Sequence, residues 1–185
     1  NVWTKTNPDF FERDVLGNFK PPYDWDDVIQ IDHTNRNEHA AMREAMQYWI
    51  SEFDIDGFRA DLAHLTPLQF WNDARVQLAP LKKDLIWLAE TEDPSYHEAF
   101  DISYTWEWMH ATEKLIKREC TLADCINLLR NQKNIFPAGA LRLLFTSNHD
   151  ENSWNGNEYE KDGVYAKGLA VFSFFYPGVG RIYNG

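Results

Sequence analysis

Three carboxylates of this chain follow hydrophobic segments that have the character of buried strands. Asp61 follows Gly-Phe-Arg-Ala, Glu90 follows Leu-Ile-Trp-Leu-Ala, and Asp150 follows Leu-Leu-Phe-Thr-Ser-Asn-His. In α/β folds the carboxyl ends of parallel strands line the functional site, so we expect the three acids to converge there. Like charges brought together repel, which predicts that the pKa of at least one of them is raised.

A pair of carboxyl groups with different pKa values can carry out retaining hydrolysis of a glycosidic bond. One stays ionised and attacks the anomeric carbon, while the other stays protonated and donates its proton to the leaving oxygen. Arg59 lies two residues before Asp61, so in a strand both side chains share a face, and the cation favours an ionised nucleophile. Glu90 follows three apolar residues and has no basic residue within five positions, which suits the acid.

Each of these residues also has a simpler structural interpretation. A single aspartate at a strand end is most often a helix cap or a loop residue, and an arginine–aspartate pair on one strand is most often a structural ion pair. His149 alone is most often a structural histidine, and Asn148 fits a turn. The recurrence of acids at three successive strand ends favours the catalytic interpretation over these alternatives.

The elements that would position the acids alternate between helix and strand. Met42, Met46, Trp49 and Phe53 recur at helical spacing, and either Asn35 or Asn37 can cap the start of this helix. Helices are predicted over residues 37–53, 67–78, 107–118, 121–132 and 162–175, and strands over 54–63, 84–91, 100–106, 140–148 and 178–184. The segment before the first helix lacks periodicity and contains Pro21-Pro22, which indicates an irregular loop region over residues 1–30.

This alternation indicates an α/β chain in which crossover helices join parallel strands. It fits either a doubly wound sheet or a barrel. No glycine-rich phosphate loop follows any predicted strand, so a nucleotide-binding function loses its main support.

The composition of the chain argues against several classes of partner. The chain has 185 residues, which is long enough for one globular domain with its own core. Its proportions of 44% apolar and 25% charged residues are ordinary for such a domain. A net charge of −11 argues against nucleic acid or an anionic membrane as the main partner. No apolar run approaches the roughly 20 residues of a membrane helix, and the N-terminal segment has no signal-peptide pattern. We therefore expect a soluble protein, and its location and oligomeric state stay open.

Three segments of the chain resemble signature regions of the α-amylase family of glycoside hydrolases. They read DGFRADLAHLTP (56–67), IWLAETED (86–93) and LFTSNHD (144–150), and IQIDHTN (29–35) is similar to a fourth, more weakly. The order and spacing of the motifs are specific, and the resemblance spans nearly the whole chain.

The resemblance implies a TIM-barrel fold and activity on α-1,4-linked glucans such as starch, glycogen or maltooligosaccharides. By the family pattern, Asp61 is the nucleophile that forms a covalent glycosyl-enzyme, and Glu90 is the general acid and then the base. Asp150 binds sugar hydroxyls and helps to distort the ring, Arg59 orients Asp61, and His149 hydrogen-bonds the same sugar. The substrate-binding set is completed by Asn148, His64 and Trp154.

The chain also departs from the family pattern. An upstream strand ending in Asn-His is missing, which implies a partial (β/α)8 barrel of roughly strands 4 to 8. Residues 1–30 would then be the remnant of the excursion after strand 3, and residues 31–185 the C-terminal part of the barrel. Leu65 stands where many members carry histidine, which puts acceptor-side contacts in doubt.

No metal ligand or cofactor is expected in this segment, although the resemblance allows Ca2+ in a full-length protein. The acidic residues of the first 30 could offer oxygen ligands, but a solvated acidic loop is the favoured interpretation. Four aromatic residues lie just beyond predicted strand ends and are candidates for stacking on glucose rings, with core or loop packing as the alternative: Tyr104, Trp106, Trp108 and Trp154.

Three further interpretations stay open. An α-glucanotransferase passes through the same covalent intermediate and differs only in whether water or a sugar hydroxyl resolves it. A truncated fragment that needs its missing strands would be inactive, because five strands cannot close a barrel. A glucan-binding module without turnover is the least favoured, since binding alone does not need an acid such as Glu90.

Overall fold

Five short strands form one parallel sheet in a computed structural model of the chain, which describes residues 2–184. The strands are β1 (Gly57–Ala60), β2 (Ile86–Ala89), β3 (Ile102–Tyr104), β4 (Leu141–Leu144) and β5 (Val179–Gly180). They lie side by side in chain order, and every neighbouring pair is parallel. In a doubly wound sheet the order of the strands reverses at a switch point, whereas in a barrel the strands lie side by side in chain order. The predicted α/β class with parallel strands is confirmed.

Helices precede β1 and link the strands. They are α1 (Trp3–Thr6), α2 (Arg36–Phe53), α3 (Leu68–Leu78), α4 (Trp106–Ile116), α5 (Leu122–Ile135), α6 (His149–Trp154), α7 (Glu158–Asp162) and α8 (Ala166–Phe175). Four single 3-10 turns cover Pro8–Phe10, Ala63–Leu65, Pro94–Glu98 and Gly163–Tyr165. Across residues 2–184, no helix has both the length and the apolar character that a bilayer crossing requires.

Every strand is shorter than predicted, and the chain after β4 differs from the prediction in two further places. The strand predicted over 140–148 ends at Leu144, and α6 begins at His149, where no helix was expected. The helix predicted over 162–175 begins only at Ala166, because Asp162 ends α7 and a 3-10 turn covers Gly163–Tyr165. The side chains of Asn148 and Asn157 accept hydrogen bonds from backbone N–H groups and so start α6 and α7, two short helices that the prediction lacks.

The chain divides into two compact units, of which the first comprises residues 1–56 and 69–85. In it, Asn35 caps α2 by accepting a hydrogen bond from the Asn37 N–H at 2.9 Å. The segment 1–30 is more ordered than predicted, since it contains α1 and antiparallel bridges that join Phe11 to Ile31 and Arg13 to Phe19. The described part of this segment has no long helix or strand, and buried aromatic residues such as Phe10 stabilise it instead.

The second unit comprises residues 57–68 and 86–185 and contains the whole sheet. Its β1–β2 pairing depends on Gly57, because a Cβ atom there would lie 2.0 Å from the backbone oxygen of Ile86. Tyr104, Met109, Leu143 and Phe145 form one buried cluster. A second cluster contains Trp108, Cys125, Leu129 and Leu144.

Candidate active site

Asp61 and Glu90 lie next to each other at the carboxyl end of the sheet. Each directly follows its strand, and the register pairs Ala60 of β1 with Ala89 of β2. The Glu90 N–H donates to the Ala60 oxygen at 2.9 Å, so the ladder continues to the acids themselves. Both residues therefore sit at the strand ends where the sequence placed them.

Arg59 holds the two acids through one guanidinium group. Its Nη1 bonds the Asp61 carboxylate, and its Nη2 lies 2.7 Å from Glu90 Oε2. The contact with Asp61 follows from the two-residue spacing along β1. The contact with Glu90 depends on the β1–β2 register, which the spacing of residues within a single segment does not reveal.

Tyr104 fixes Arg59 from the neighbouring strand β3. Its hydroxyl accepts hydrogen bonds from Arg59 Nε at 3.3 Å and from Arg181 Nη1 at 2.7 Å. Tyr104 is only 1% exposed, so it is not an accessible platform for a sugar ring as the sequence suggested. Sequence reasoning missed Arg181 altogether, because nothing near it in the chain marks it as a site residue.

The two acids have different surroundings. Glu90 is 6% exposed, whereas the Asp61 side chain is 68% exposed. Burial is the main cause that raises the pKa of Glu90, and the charge and hydrogen bonding of Asp61 raise it further. The Leu62 N–H and the Arg59 charge act in the opposite direction on the pKa of Glu90 without overcoming its burial. Glu90 therefore favours the protonated form more than an exposed glutamate does.

A turn in the left-handed region directs a backbone donor at Glu90. Leu62 has φ 40° and ψ 50°, a conformation that is uncommon for leucine, and its N–H donates to Glu90 Oε2 at 3.1 Å. The Ala63 N–H donates to the Glu90 backbone oxygen at 3.3 Å. Glu90 therefore accepts both hydrogen bonds that fix this turn, one with its side chain and one with its backbone. Strained backbone of this kind is concentrated at functional sites.

Asn148, His149 and Asp150 do not end a strand. Asn148 is fully buried and caps α6, with its Oδ1 accepting from the Glu151 N–H at 2.8 Å. His149 and Asp150 occupy the first turn of that helix, where their side chains are each 49% exposed and His149 Nε2 lies 3.5 Å from Asp150 Oδ2. The prediction that Asp150 directly closes a strand is wrong, because the cap at Asn148 starts a helix first.

A cavity of about 450 Å³ is lined by residues of the sheet and by His149 from the first turn of α6. Each of the five strands contributes one lining residue, and the loop and helix ends contribute three more: Arg59, Leu88, Tyr104, Leu143, Gly180, His149, Arg181 and Ile182. Arg59 and His149 both line this cavity. Its described lining includes none of the three acids, and it also lacks three other candidates: Asp61, Glu90, Asp150, Asn148, His64 and Trp154.

The remaining sequence candidates are spread over different environments. His64 is exposed in the 3-10 turn Ala63–Leu65, and Trp154 is 84% exposed at the end of α6. Trp106 packs against Tyr104, and Trp108 is 6% exposed and stacks on Phe172. Of the four aromatic candidates, Trp154 alone is freely accessible.

The acidic residues of the first 30 do not form a metal-binding group. Asp14 uses Oδ1 to accept from the Leu16 and Asn18 N–H groups at 2.9 Å, so its carboxylate stabilises its own turn. Among residues 2–184, only His33, Glu38 and His39 bring three potential metal ligands together, and they lie in the first unit. His33 lies in the segment IQIDHTN (29–35), but nothing in the sequence had pointed to a metal site there.

The fold of the chain is shared with solved glucan-active enzymes. A noncanonic maltogenic α-amylase from Thermotoga neapolitana matches 100% of this chain at 36% identity and a TM-score of 0.88. An α-amylase from Lactobacillus plantarum matches 100% of it at 26% identity and a TM-score of 0.88. The resemblance to the α-amylase family is thereby confirmed.

A curated relative adds a group-transfer enzyme to the comparison. An α-1,4-glucan:maltose-1-phosphate maltosyltransferase from Bifidobacterium animalis subsp. lactis is 28% identical over 94 residues, or 48% of this chain and 13% of that protein. No family model matches the chain. The chain spans only 43% and 47% of the two solved α-amylases.

Proposed function

We propose that this chain, whose whole length is matched by α-amylase-family enzymes, carries the catalytic carboxyl groups of a retaining glycosidase acting on α-1,4-linked glucans. The observation that supports the proposal most is the shared guanidinium of Arg59, which joins an exposed carboxylate to a buried carboxyl group of raised pKa. Retaining hydrolysis needs two neighbouring acids in this opposite state of protonation.

In the first step, an oxygen of Asp61 attacks the anomeric carbon and the bond to the leaving oxygen breaks. Glu90 donates its proton to that oxygen, and the sugar is left covalently bound to Asp61. In the second step, Glu90 takes a proton from water, whose oxygen attacks the same carbon and releases Asp61. Two inversions give net retention, and the carboxylates and Arg59 provide preorganised charge around the oxocarbenium-like transition state.

The substrate contacts are assigned by the same proposal. His149 and Asp150 bind hydroxyl groups of the sugar at the cleavage site, and Asn148 positions both by capping α6. His64 serves the acceptor side, and Trp154 offers its exposed face to a glucose ring. These assignments rest on the family pattern and on the accessibility of His64 and Trp154.

The scaffold assignment belongs to the proposal as well. We assign β1 to β5 to strands 4 to 8 of a (β/α)8 barrel, since their sequential parallel order is that of a barrel. Residues 1–30 are assigned to the excursion after strand 3, and residues 31–185 to the barrel. Ca2+ binding in a longer protein is compatible with this assignment. The described acidic residues of the first 30 do not provide a set of ligands for it.

A transferase is the second candidate, favoured by the similarity to the maltosyltransferase. In that case a hydroxyl group of a second sugar, rather than water, attacks the covalent intermediate. Incubation with maltoheptaose and a labelled maltose acceptor separates the two activities. Labelled products longer than maltose identify a transferase, whereas exclusive release of short unlabelled sugars identifies a hydrolase.

The first experiment measures reducing-end release from maltoheptaose by the purified chain and by Glu90→Gln. General acid catalysis contributes typically 100- to 10,000-fold, so we expect the variant to lose roughly that much. Glu52→Gln, on the exposed side of α2, is the control and should retain full activity. Equal rates for the wild type and Glu90→Gln would contradict the assignment of the acid.

A second experiment identifies the nucleophile independently of the acid. A fluorine-substituted α-glucosyl fluoride has a leaving group that needs no protonation and gives a slowly hydrolysed glycosyl-enzyme. We expect mass spectrometry to find the sugar on Asp61 in the wild type and in Glu90→Gln, and no label in Asp61→Asn. A label on another residue would refute the proposal, and a wild-type chain with neither label nor turnover would indicate the inactive-fragment alternative.

A further inference from the structure

The start of α2 brings together three side chains that the proposed active site does not use. Glu38 is in the first turn of the helix, His39 is the next residue, and His33 lies in the loop just before the cap. Glu38 Oε2 lies 3.7 Å from His33 Nδ1 and 3.8 Å from His39 Nε2. All three groups belong to the first unit, and their ligand atoms lie within 4.8 Å of one another.

Glu38 is the unusual member of this cluster. It is 1% exposed, and neither of its carboxylate oxygens has a hydrogen-bond partner among the described residues. His39 Nε2 is also buried without a hydrogen bond there. A buried carboxylate without hydrogen bonds carries a large desolvation cost, and such groups are normally paired or coordinate a metal.

A hydrogen-bonded ion pair does not account for the arrangement. The separations of 3.7 and 3.8 Å are too long for hydrogen bonds between nitrogen and oxygen.

The geometry points to a site for a divalent transition metal, best matched by Zn2+, whose protein ligands are His33 Nδ1, Glu38 and His39 Nε2. Two imidazoles and one carboxylate are a known zinc ligand set, with the fourth position left for water. Tetrahedral ligands about 2.0–2.2 Å from the metal lie roughly 3.4 Å from one another. The separations of Glu38 Oε2 from the two histidine nitrogens, 3.7 and 3.8 Å, are within a few tenths of an ångström of that value.

Such a metal would join the loop that contains His33 to the first turns of α2. This role is structural, and it involves none of the residues assigned to sugar cleavage. The proposal therefore stands or fails independently of the proposed glycosidase activity.

The binding test titrates the chelator-treated chain with Zn2+ in competition with a colorimetric zinc indicator. We expect one tight site per chain and a rise in the melting temperature on addition of Zn2+. Glu38→Gln and His39→Gln each remove a ligand, so they should weaken binding by more than the roughly 10- to 100-fold typical of losing a supporting partner. The control is His110→Gln, since His110 forms a similar but half-exposed pair with Glu113 on α4 at 3.5 Å and should bind zinc as the wild type does.

A spectroscopic measurement keeps the test decisive if a variant fails to fold. X-ray absorption at the zinc edge of the wild-type chain should report two imidazoles, oxygen ligands and no sulfur. Sulfur ligands would place the metal at Cys120 and Cys125, whose Sγ atoms are 3.9 Å apart, and would overturn the proposal. Absence of tight binding by the wild type, or unchanged binding by both ligand variants, would overturn it as well.

Discussion

At the scale of single residues, Glu90 shows how the role proposed for it conflicts with stability. Its burial raises its pKa above the ordinary 4.5, so the folded chain binds this proton more tightly than the unfolded chain does. Stability then falls as pH rises from the unfolded value through the folded one. The burial that suits Glu90 to the proposed role of proton donor thus leaves a buried charge once the pH exceeds its pKa.

The corresponding prediction compares the wild type with Glu90→Gln. Glutamine cannot ionise, so the stability of the wild type relative to this variant should decrease as the pH rises from about 4 to 8. Thermal unfolding at several pH values measures the difference. The exposed Glu52→Gln is the control, and a wild-type chain that gains stability relative to Glu90→Gln with rising pH would contradict the assigned direction.

The contact between Arg59 and Asp61 could be predicted because the two residues are neighbours on one face of one strand. Arg59 and Asp61 alternate with one residue between them, so their contact follows from strand geometry. The contacts of Arg59 with Glu90 and Tyr104 join different strands, and only the sheet register creates them. Of the two interpretations of Tyr104, sugar stacking and core packing, the structure supports core packing, and from the core Tyr104 supports the arginine.

At the scale of elements, two short helices with similar caps differ in whether they carry proposed site residues. Asn148 caps α6, which carries His149 and Asp150, while Asn157 caps α7, which carries no proposed site residue. Asn148→Ala and Asn157→Ala should each cost about 0.5–2 kcal/mol of stability. Only Asn148→Ala should also lower the rate of maltoheptaose cleavage, because it releases His149 and Asp150. Equal activity of the two variants in reducing-end assays would argue against a positioning role for α6.

Two glycine substitutions, one in β1 and one as a control in α8, test the strand register that aligns the acids. Gly57→Ala would bring a Cβ atom to 2.0 Å from the Ile86 oxygen and should cost about 1–3 kcal/mol or more. Gly168, in α8, has open space around its Cβ position, so Gly168→Ala should stabilise the chain by about 0.5–1 kcal/mol. Urea unfolding of both variants measures the two opposite changes, and a neutral Gly57→Ala would mean that the sheet adjusts without cost.

The boundaries of elements were predicted less well than their types. Every strand was expected to be longer than it is, because apolar residues continue beyond the hydrogen-bonded ladder; Phe145, for example, is buried although β4 ends at Leu144. The α6 and α7 starts were visible as asparagine followed three residues later by glutamate. That spacing is a helix-start signal, and it would have moved Asp150 from a strand end into a helix.

At the scale of the whole molecule, net charge and exposed apolar surface act in opposite directions. The charge of −11 keeps copies apart at low ionic strength. The helix α8 nevertheless presents Val171, Phe174 and Phe175 with 59%, 52% and 86% exposure, and such patches promote association. Because salt screens repulsion over distances beyond about 10 Å at 0.1 M, added salt should shift this balance toward self-association.

Light scattering across a salt series tests that balance. We expect the apparent mass of the wild type to rise with sodium chloride, and Phe175→Ser to reduce the rise, because it removes the most exposed aromatic ring of α8. Val15→Ser is the matched control, since Val15 is fully exposed in the first unit and lies outside α8. If Val15→Ser reduced association as much as Phe175→Ser, general surface hydrophobicity rather than α8 would drive it. A wild-type chain that stays monomeric at high salt would show that the exposed face of α8 does not mediate self-association.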